Sequence, residues 1–206
     1  METPGDEELS AWVGALAPSR VGRAALRRPP VWLLDVDGVL NASRPGWDGT
    51  PQRRSVWSRT DQASYPLRWS PVLIDRIRAL HVDGRAEVRW CTTWCPDADE
   101  LEHLWRLPEL ERALTADPMP RGVACWPLKL AAARAVLADG RRLIWTDDDA
   151  QPKPGPDRDE LTANGLALLI APRPNRGLSP QDLDRIEAFA ALSHHSVADP
   201  GLEPGR

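Results

Sequence analysis

Four short stretches of the chain carry residue types able to handle a phosphoryl group. Asp35 and Asp37 stand two apart in Asp35-Val36-Asp37-Gly38, and Thr92 and Thr93 follow Trp90-Cys91. Lys129 is one of only two lysines among 26 basic residues, and Asp147-Asp148-Asp149 is a run of three carboxylates. A carboxylate can attack phosphorus and form an aspartyl-phosphate if a divalent cation offsets the repulsion between the two anions. Several acidic oxygens suit Mg²⁺, which takes carboxylate, carbonyl and water ligands in octahedral geometry. A second carboxyl group two residues on can protonate the leaving oxygen and later activate water. A hydroxyl and an ammonium bind the charge spread over the phosphoryl oxygens. Gly38 permits a sharp turn after the second acid.

The elements that must position these groups alternate. Val31–Val36 is a continuous apolar run between prolines and glycine, the pattern of a strand buried on both faces. Further strands are predicted over Ala86–Cys91, Arg141–Thr146 and Leu166–Ala171, with room for one short strand within Leu114–Cys125. Helices are predicted from Pro71 to a stop at Gly84, over about 97–107, over Pro127–Ala138, and from Ser179-Pro180 to about Leu192. The class expected is α/β, a Rossmann-like three-layer sandwich with a central, mostly parallel sheet. Ligands of open α/β sheets sit beyond the carboxyl ends of the strands. Asp35, Asp37, Thr92, Thr93, Asp147 and Asp148 all follow such ends. Lys129 falls in the first turn of a helix that starts near the same edge. A cation there opposes the helix dipole by about 0.3–1 kcal/mol, so a compact point charge is wanted for another reason.

Asp35-Val36-Asp37-Gly38-Val39-Leu40-Asn41 resembles the first motif of haloacid dehalogenase (HAD) superfamily phosphohydrolases, and Thr92 or Thr93, Lys129 and Asp147-Asp148 follow in that family's order. The resemblance spans roughly residues 31–192 and is most specific in the first motif. It implies Asp35 as nucleophile and Asp37 as general acid/base. It also implies Mg²⁺ held by Asp35, Asp148 and the backbone carbonyl of Asp37, with Asp147 close by. Thr92 and Lys129 would grip the phosphate, with Thr93, Gly38 and Asn41 lining the substrate site; alternation along the strand favours Thr92 over Thr93. More loosely, Trp90-Cys91-Thr92-Thr93-Trp94 and Gly177-Leu178-Ser179 resemble the phosphatase-like domains found beside RNA-repair enzymes.

Residues 1–30 read as an N-terminal helix (Leu9, Trp12, Val13, Leu16) and an Arg- and Pro-rich connector, 31–192 as the hydrolase domain, and 193–206 as a disordered tail. Within the domain, 42–70 reads as a flap insertion. It holds Arg44, Arg53, Arg54, Arg59 and Arg68 against Asp48 and Asp61, with Trp47, Trp57, Tyr65 and Trp69 interleaved. That composition suits either a nucleic-acid end or a small aromatic core kept soluble by arginine, and the second reading is preferred. The remainder is excluded more than it is assigned. A hydrophobic share of 42% and a charged share of 27% exclude disorder along the whole chain. The net charge of −4 argues against coating nucleic acid by bulk charge. No apolar run reaches the roughly 18 residues of a membrane span. The acidic start (Glu2, Asp6, Glu7, Glu8) is unlike a signal peptide. Cys91, Cys95 and Cys125 lack the partners of a zinc site and read as inert thiols. A cytoplasmic protein is expected.

The function expected is a Mg²⁺-dependent phosphomonoester hydrolase acting on a phosphorylated small molecule or nucleic-acid end, with no membrane and no obligate protein partner. The alternative is a catalytically idle module that binds phosphorylated or RNA ends. A response-regulator receiver uses the same residue types, but there the acidic pair comes early and the lysine last, the reverse of this chain.

Overall fold

A computed structural model of the chain describes Ala25 and residues 27–192. The helix expected around Leu9–Leu16 and the tail 193–206 lie outside those residues. Among the described residues, seven strands and five α-helices follow one another: β1 Val31–Leu34, β2 Gln52–Ser58, β3 Ala63–Trp69, α1 Pro71–Val82, β4 Glu87–Trp90, α2 Ala98–Trp105, β5 Glu111–Arg112, α3 Trp126–Ala138, β6 Leu143–Thr146, α4 Pro156–Thr162, β7 Ala167–Ile170 and α5 Pro180–Ala191.

Five strands form one parallel sheet in the order β5-β4-β1-β6-β7. The chain winds outward from β1 through β4 to β5, then returns to β1's other side for β6 and β7. This is the doubly wound, Rossmann-like arrangement, and its switch point lies between β1 and β6. Every residue of β1 is buried, so both faces of the sheet are covered there. Arg76 of α1 pairs with Asp184 and Glu187 of α5, and Arg134 of α3 pairs with Asp157 and Glu160 of α4. The sheet carries three fully buried tryptophans, Trp32, Trp90 and Trp145, side chains whose burial contributes several kcal/mol each. Two of their indole N–H groups are satisfied: Trp32 Nε1 donates to Thr146 Oγ1 (2.9 Å) and Trp90 Nε1 to Glu102 Oε1 (2.9 Å).

Register matters for the site. Leu34 is paired with Trp90 on one side and Thr146 on the other. Asp35, Cys91 and Asp147 therefore leave the sheet at one level. The expected strand and helix positions agree with the observed ones to within two residues, with three exceptions, the first being the β2–β3 hairpin within the 42–70 flap, where no strand is expected from the sequence. The short strand lies at Glu111–Arg112, ahead of the Leu114–Cys125 stretch, which ends instead in a 3-10 turn at Gly122–Cys125. Helix α4 was not anticipated; it is seven residues long and buries only Leu161, so it has almost no apolar periodicity to read.

The 42–70 stretch contains an antiparallel hairpin, β2–β3, paired from Gln52↔Trp69 to Ser58↔Ala63. Its aromatics divide three ways. Trp69 is buried against Trp105 of α2 (ring centroids 6.0 Å apart), Trp47 sits under Arg76 with its Nε1 donating to the Leu178 carbonyl (2.6 Å), and Trp57 is 51% exposed. The hairpin thus joins the main core rather than forming its own. Among the described residues no helix is long and apolar enough to cross a membrane.

Candidate active site

Beyond the ends of β1 and β6, at the switch point, Lys129 is held between two carboxylates. Its Nζ donates to Asp35 Oδ2 and to Asp147 Oδ2, each at 2.7 Å, and all three residues are buried. The carboxylates are fixed in turn by backbone amides. Val36 N–H donates to Asp35 Oδ1 (2.8 Å), and Asp149 and Ala150 N–H donate to Asp147 Oδ1 (3.1 and 2.8 Å). Burial disfavours the Lys129 charge, but Asp35 and Asp147 outweigh it and raise the ammonium's pKa above its ordinary value. The lysine's location in the first turn of α3 is thereby explained: two buried anions more than offset an unfavourable helix dipole.

Asp148 completes an acidic group. One oxygen each from Asp35, Asp147 and Asp148 lie within 4.8 Å of one another. One ammonium does not balance three carboxylates, and the excess registers on the acids. Burial, with repulsion from Asp147, pushes the Asp35 carboxyl up to about 7 against the pull of Lys129. Burial and the neighbouring Asp149 and Asp147 push Asp148 up to about 6. The Asp148 carboxylate lies directly over Gly38, where a Cβ would meet its carbon at 2.2 Å. With φ at +71°, Gly38 serves both the turn and this close approach. Crowded hard oxygen donors short of positive charge are what Mg²⁺ requires. Asp147 is the most committed of the three, accepting three protein N–H donors against two on Asp35, so Asp35 and Asp148 have more acceptor capacity left for a cation. A cavity of about 280 Å³ opens here, lined by Asp35, Asp37, Gly38, Thr93, Lys129 and Asp148 among others.

Asp37 stands on the wall of that cavity with both oxygens engaged. Asn41 Nδ2 donates to Oδ1 (2.7 Å) and Trp94 Nε1 to Oδ2 (3.0 Å). Asn41 Oδ1 in turn accepts from the Arg68 N–H of β3 (2.9 Å). Asn41, expected among the substrate contacts, orients Asp37 through its amide, ties it to the hairpin, and also lines the smaller cavity beneath the hairpin. The two threonines also separate. Thr92 is buried, with Oγ1 accepting the Trp94 N–H (3.3 Å), whereas exposed Thr93 lines the cavity. Alternation along the strand pointed to Thr92; the chain leaves the sheet after Trp90 and the period-two pattern stops with it.

A second cavity, of about 160 Å³, lies under the hairpin on the far side of Asp37. Asp37 and Thr93 are the residues common to both cavities. The hairpin roof is fastened by Asp97, a buried residue at the start of α2. Its carboxylate accepts from Ser58 Oγ (2.7 Å), Arg59 N–H (3.1 Å), Arg59 Nε (3.3 Å) and Thr60 N–H (3.3 Å). Burial works to raise the Asp97 carboxyl, but the donors from Ser58, Thr60 and Arg59 hold it below the ordinary carboxylate value.

Trp94 and Asp97 were not singled out as site residues by the sequence, although the clustered tryptophans of 90–94 marked the region. Their partners lie 57 and 37–39 residues away, a distance at which no local pattern signals a contact. Compared with known proteins, the chain matches no family model and no curated protein.

Proposed function

We propose that the chain is a Mg²⁺-dependent phosphomonoesterase of the haloacid dehalogenase type, working through an aspartyl-phosphate on Asp35. The observation that carries the reading is the Lys129 ammonium bridging buried Asp35 and Asp147, with Asp148 in the same acidic group at the switch point. A divalent cation held by Asp35, Asp148 and the Asp37 carbonyl would neutralise charge between the attacking carboxylate and the phosphoryl oxygens. Asp35 attacks phosphorus as the bond to the alcohol oxygen breaks, and the departing oxygen takes its proton from the Asp37 carboxyl. Asp37, now a carboxylate, removes a proton from water as that water attacks the phosphoaspartate. Inorganic phosphate leaves, Asp35 is regenerated, and Asp37 is protonated again. Lys129 and a threonine hydroxyl hold the phosphoryl oxygens throughout.

The test is phosphate release from a panel of phosphomonoesters, including 3′- and 5′-phosphorylated oligonucleotides, with and without Mg²⁺. Wild type should turn over at least one of them, and Asp35→Asn should abolish turnover while remaining folded by circular dichroism. An inactive wild type, or an active Asp35→Asn, overturns the mechanism.

A further inference from the structure

Two cavities meet at Asp37, and the reading above gives each a part. The larger holds Asp35, Lys129 and Asp148, the groups that handle the phosphoryl. Both Asp37 oxygens bond residues of the hairpin cavity, Asn41 and Trp94, so an alcohol that takes its proton from Asp37 is best placed under the hairpin. Resting on that reading, we propose that the hairpin cavity receives the leaving alcohol and is cut for a single hydroxylated ring.

Size argues first. The cavity measures about 160 Å³, and an engineered cavity of about 150 Å³ holds one benzene-sized ring. The cavity is partly open to solvent, so it encloses about one ring of a larger leaving group, and the four donors on Asp97 oppose widening the space beneath the roof. Wall chemistry argues second. Tyr65 and Trp94 form an edge-to-face pair (5.5 Å, 78°) and, with Met119, supply apolar surface for ring carbons. Asp61 faces Arg121 as an ion pair and accepts the Tyr65 hydroxyl (2.8 Å). A hydrocarbon ring would desolvate that pair and return nothing, whereas ring hydroxyls donate to the carboxylate and accept from the guanidinium. A pyranose, a cyclitol and the ribose of a nucleotide present this same chemistry.

The experiment uses the full chain with Mg²⁺ and compares kcat/KM for acetyl phosphate, glycerol phosphate, hexose phosphates and nucleoside 3′- and 5′-monophosphates. Acetyl phosphate has no ring and reports the phosphoryl site alone. Ring esters should exceed glycerol phosphate by at least tenfold, and the preferred ring ester identifies a free sugar or a nucleotide as the source. Met119→Trp, which fills the cavity, should lower the ratio of ring-ester to acetyl-phosphate kcat/KM at least tenfold. If that variant does not fold, Tyr65→Ala removes the aromatic wall and is held to the same criterion. Turnover of acetyl phosphate with no preference for rings, or a ratio unmoved by the variant, overturns the cavity assignment and leaves the phosphatase reading standing. If wild type hydrolyses nothing, that reading falls, and the cavity is judged by saturation-transfer NMR with free ribose and myo-inositol. Transfer lost in Met119→Trp supports the assignment; no transfer to wild type, or transfer that persists in the variant, overturns it.

Discussion

Lys129 serves the fold as a buried ion-pair partner and, in the proposed mechanism, the chemistry as well. Removing one partner from a buried ion pair costs about 3–5 kcal/mol, because the other charge stays behind uncompensated. Lys129→Met should therefore lower the unfolding free energy by about 3 kcal/mol, measured by urea denaturation, while abolishing phosphate release. Lys129→Arg should not restore turnover, since a planar guanidinium cannot reproduce a point charge held 2.7 Å from both carboxylates. The acids invite a test in the opposite direction. Asp35 at about 7 and Asp148 at about 6 keep protons that the unfolded chain gives up near 4. Without a cation, both therefore favour the fold at low pH, and that contribution is lost as pH rises from about 4 to 7. In the proposed mechanism protons and Mg²⁺ would compete for the same oxygens. Mg²⁺ should thus bind weakly at pH 5 and progressively tighter up to pH 8, with proton release visible by calorimetry in buffers of different ionisation enthalpy.

At the scale of elements, the strands that end in chemistry were legible because each announces itself locally. An apolar run closes on a polar residue, and the end of a parallel strand is where such a residue becomes useful. The hairpin was not legible as a hairpin. Arg53, Arg54 and Ser55 are exposed, so β2 shows little of the alternation that marks a half-buried strand. Helix α4 and strand β5 were too short to show a period at all. Asp97 decides how firmly the hairpin sits, and its consequence is measurable. Asp97→Asn loses the charge that attracts Arg59 and replaces an acceptor oxygen with a donor nitrogen, a change costing about 1–3 kcal/mol. Amide exchange should accelerate across Gln52–Trp69 in that variant while β1 and β6 stay protected. Because the Asp97 carboxyl is held below its ordinary value, its contribution is complete at neutral pH and is lost as pH falls through that lowered value. Wild type should therefore show the same selective loosening in strong acid.

Taken as a whole, the molecule places a net charge of −4 around a site that is itself short of positive charge. A cation that binds the folded state alone stabilises it by mass action, about 2.7 kcal/mol at 100 times Kd. For a chain of this length that corresponds to roughly 5–10 °C in Tm. Saturating Mg²⁺ should raise the Tm of wild type by that order and leave Asp148→Asn nearly unmoved in a scanning fluorimetry experiment. Composition pointed to this site only through scarcity, in a chain that writes 24 of its 26 basic residues as arginine. The same scarcity has a practical use. Lys129 is buried and bonded to two carboxylates, while Lys153 is exposed on the loop after β6. Among side-chain amines of the described residues, an acylating reagent meets Lys153 alone, so side-chain labelling falls at one defined point away from the buried Lys129.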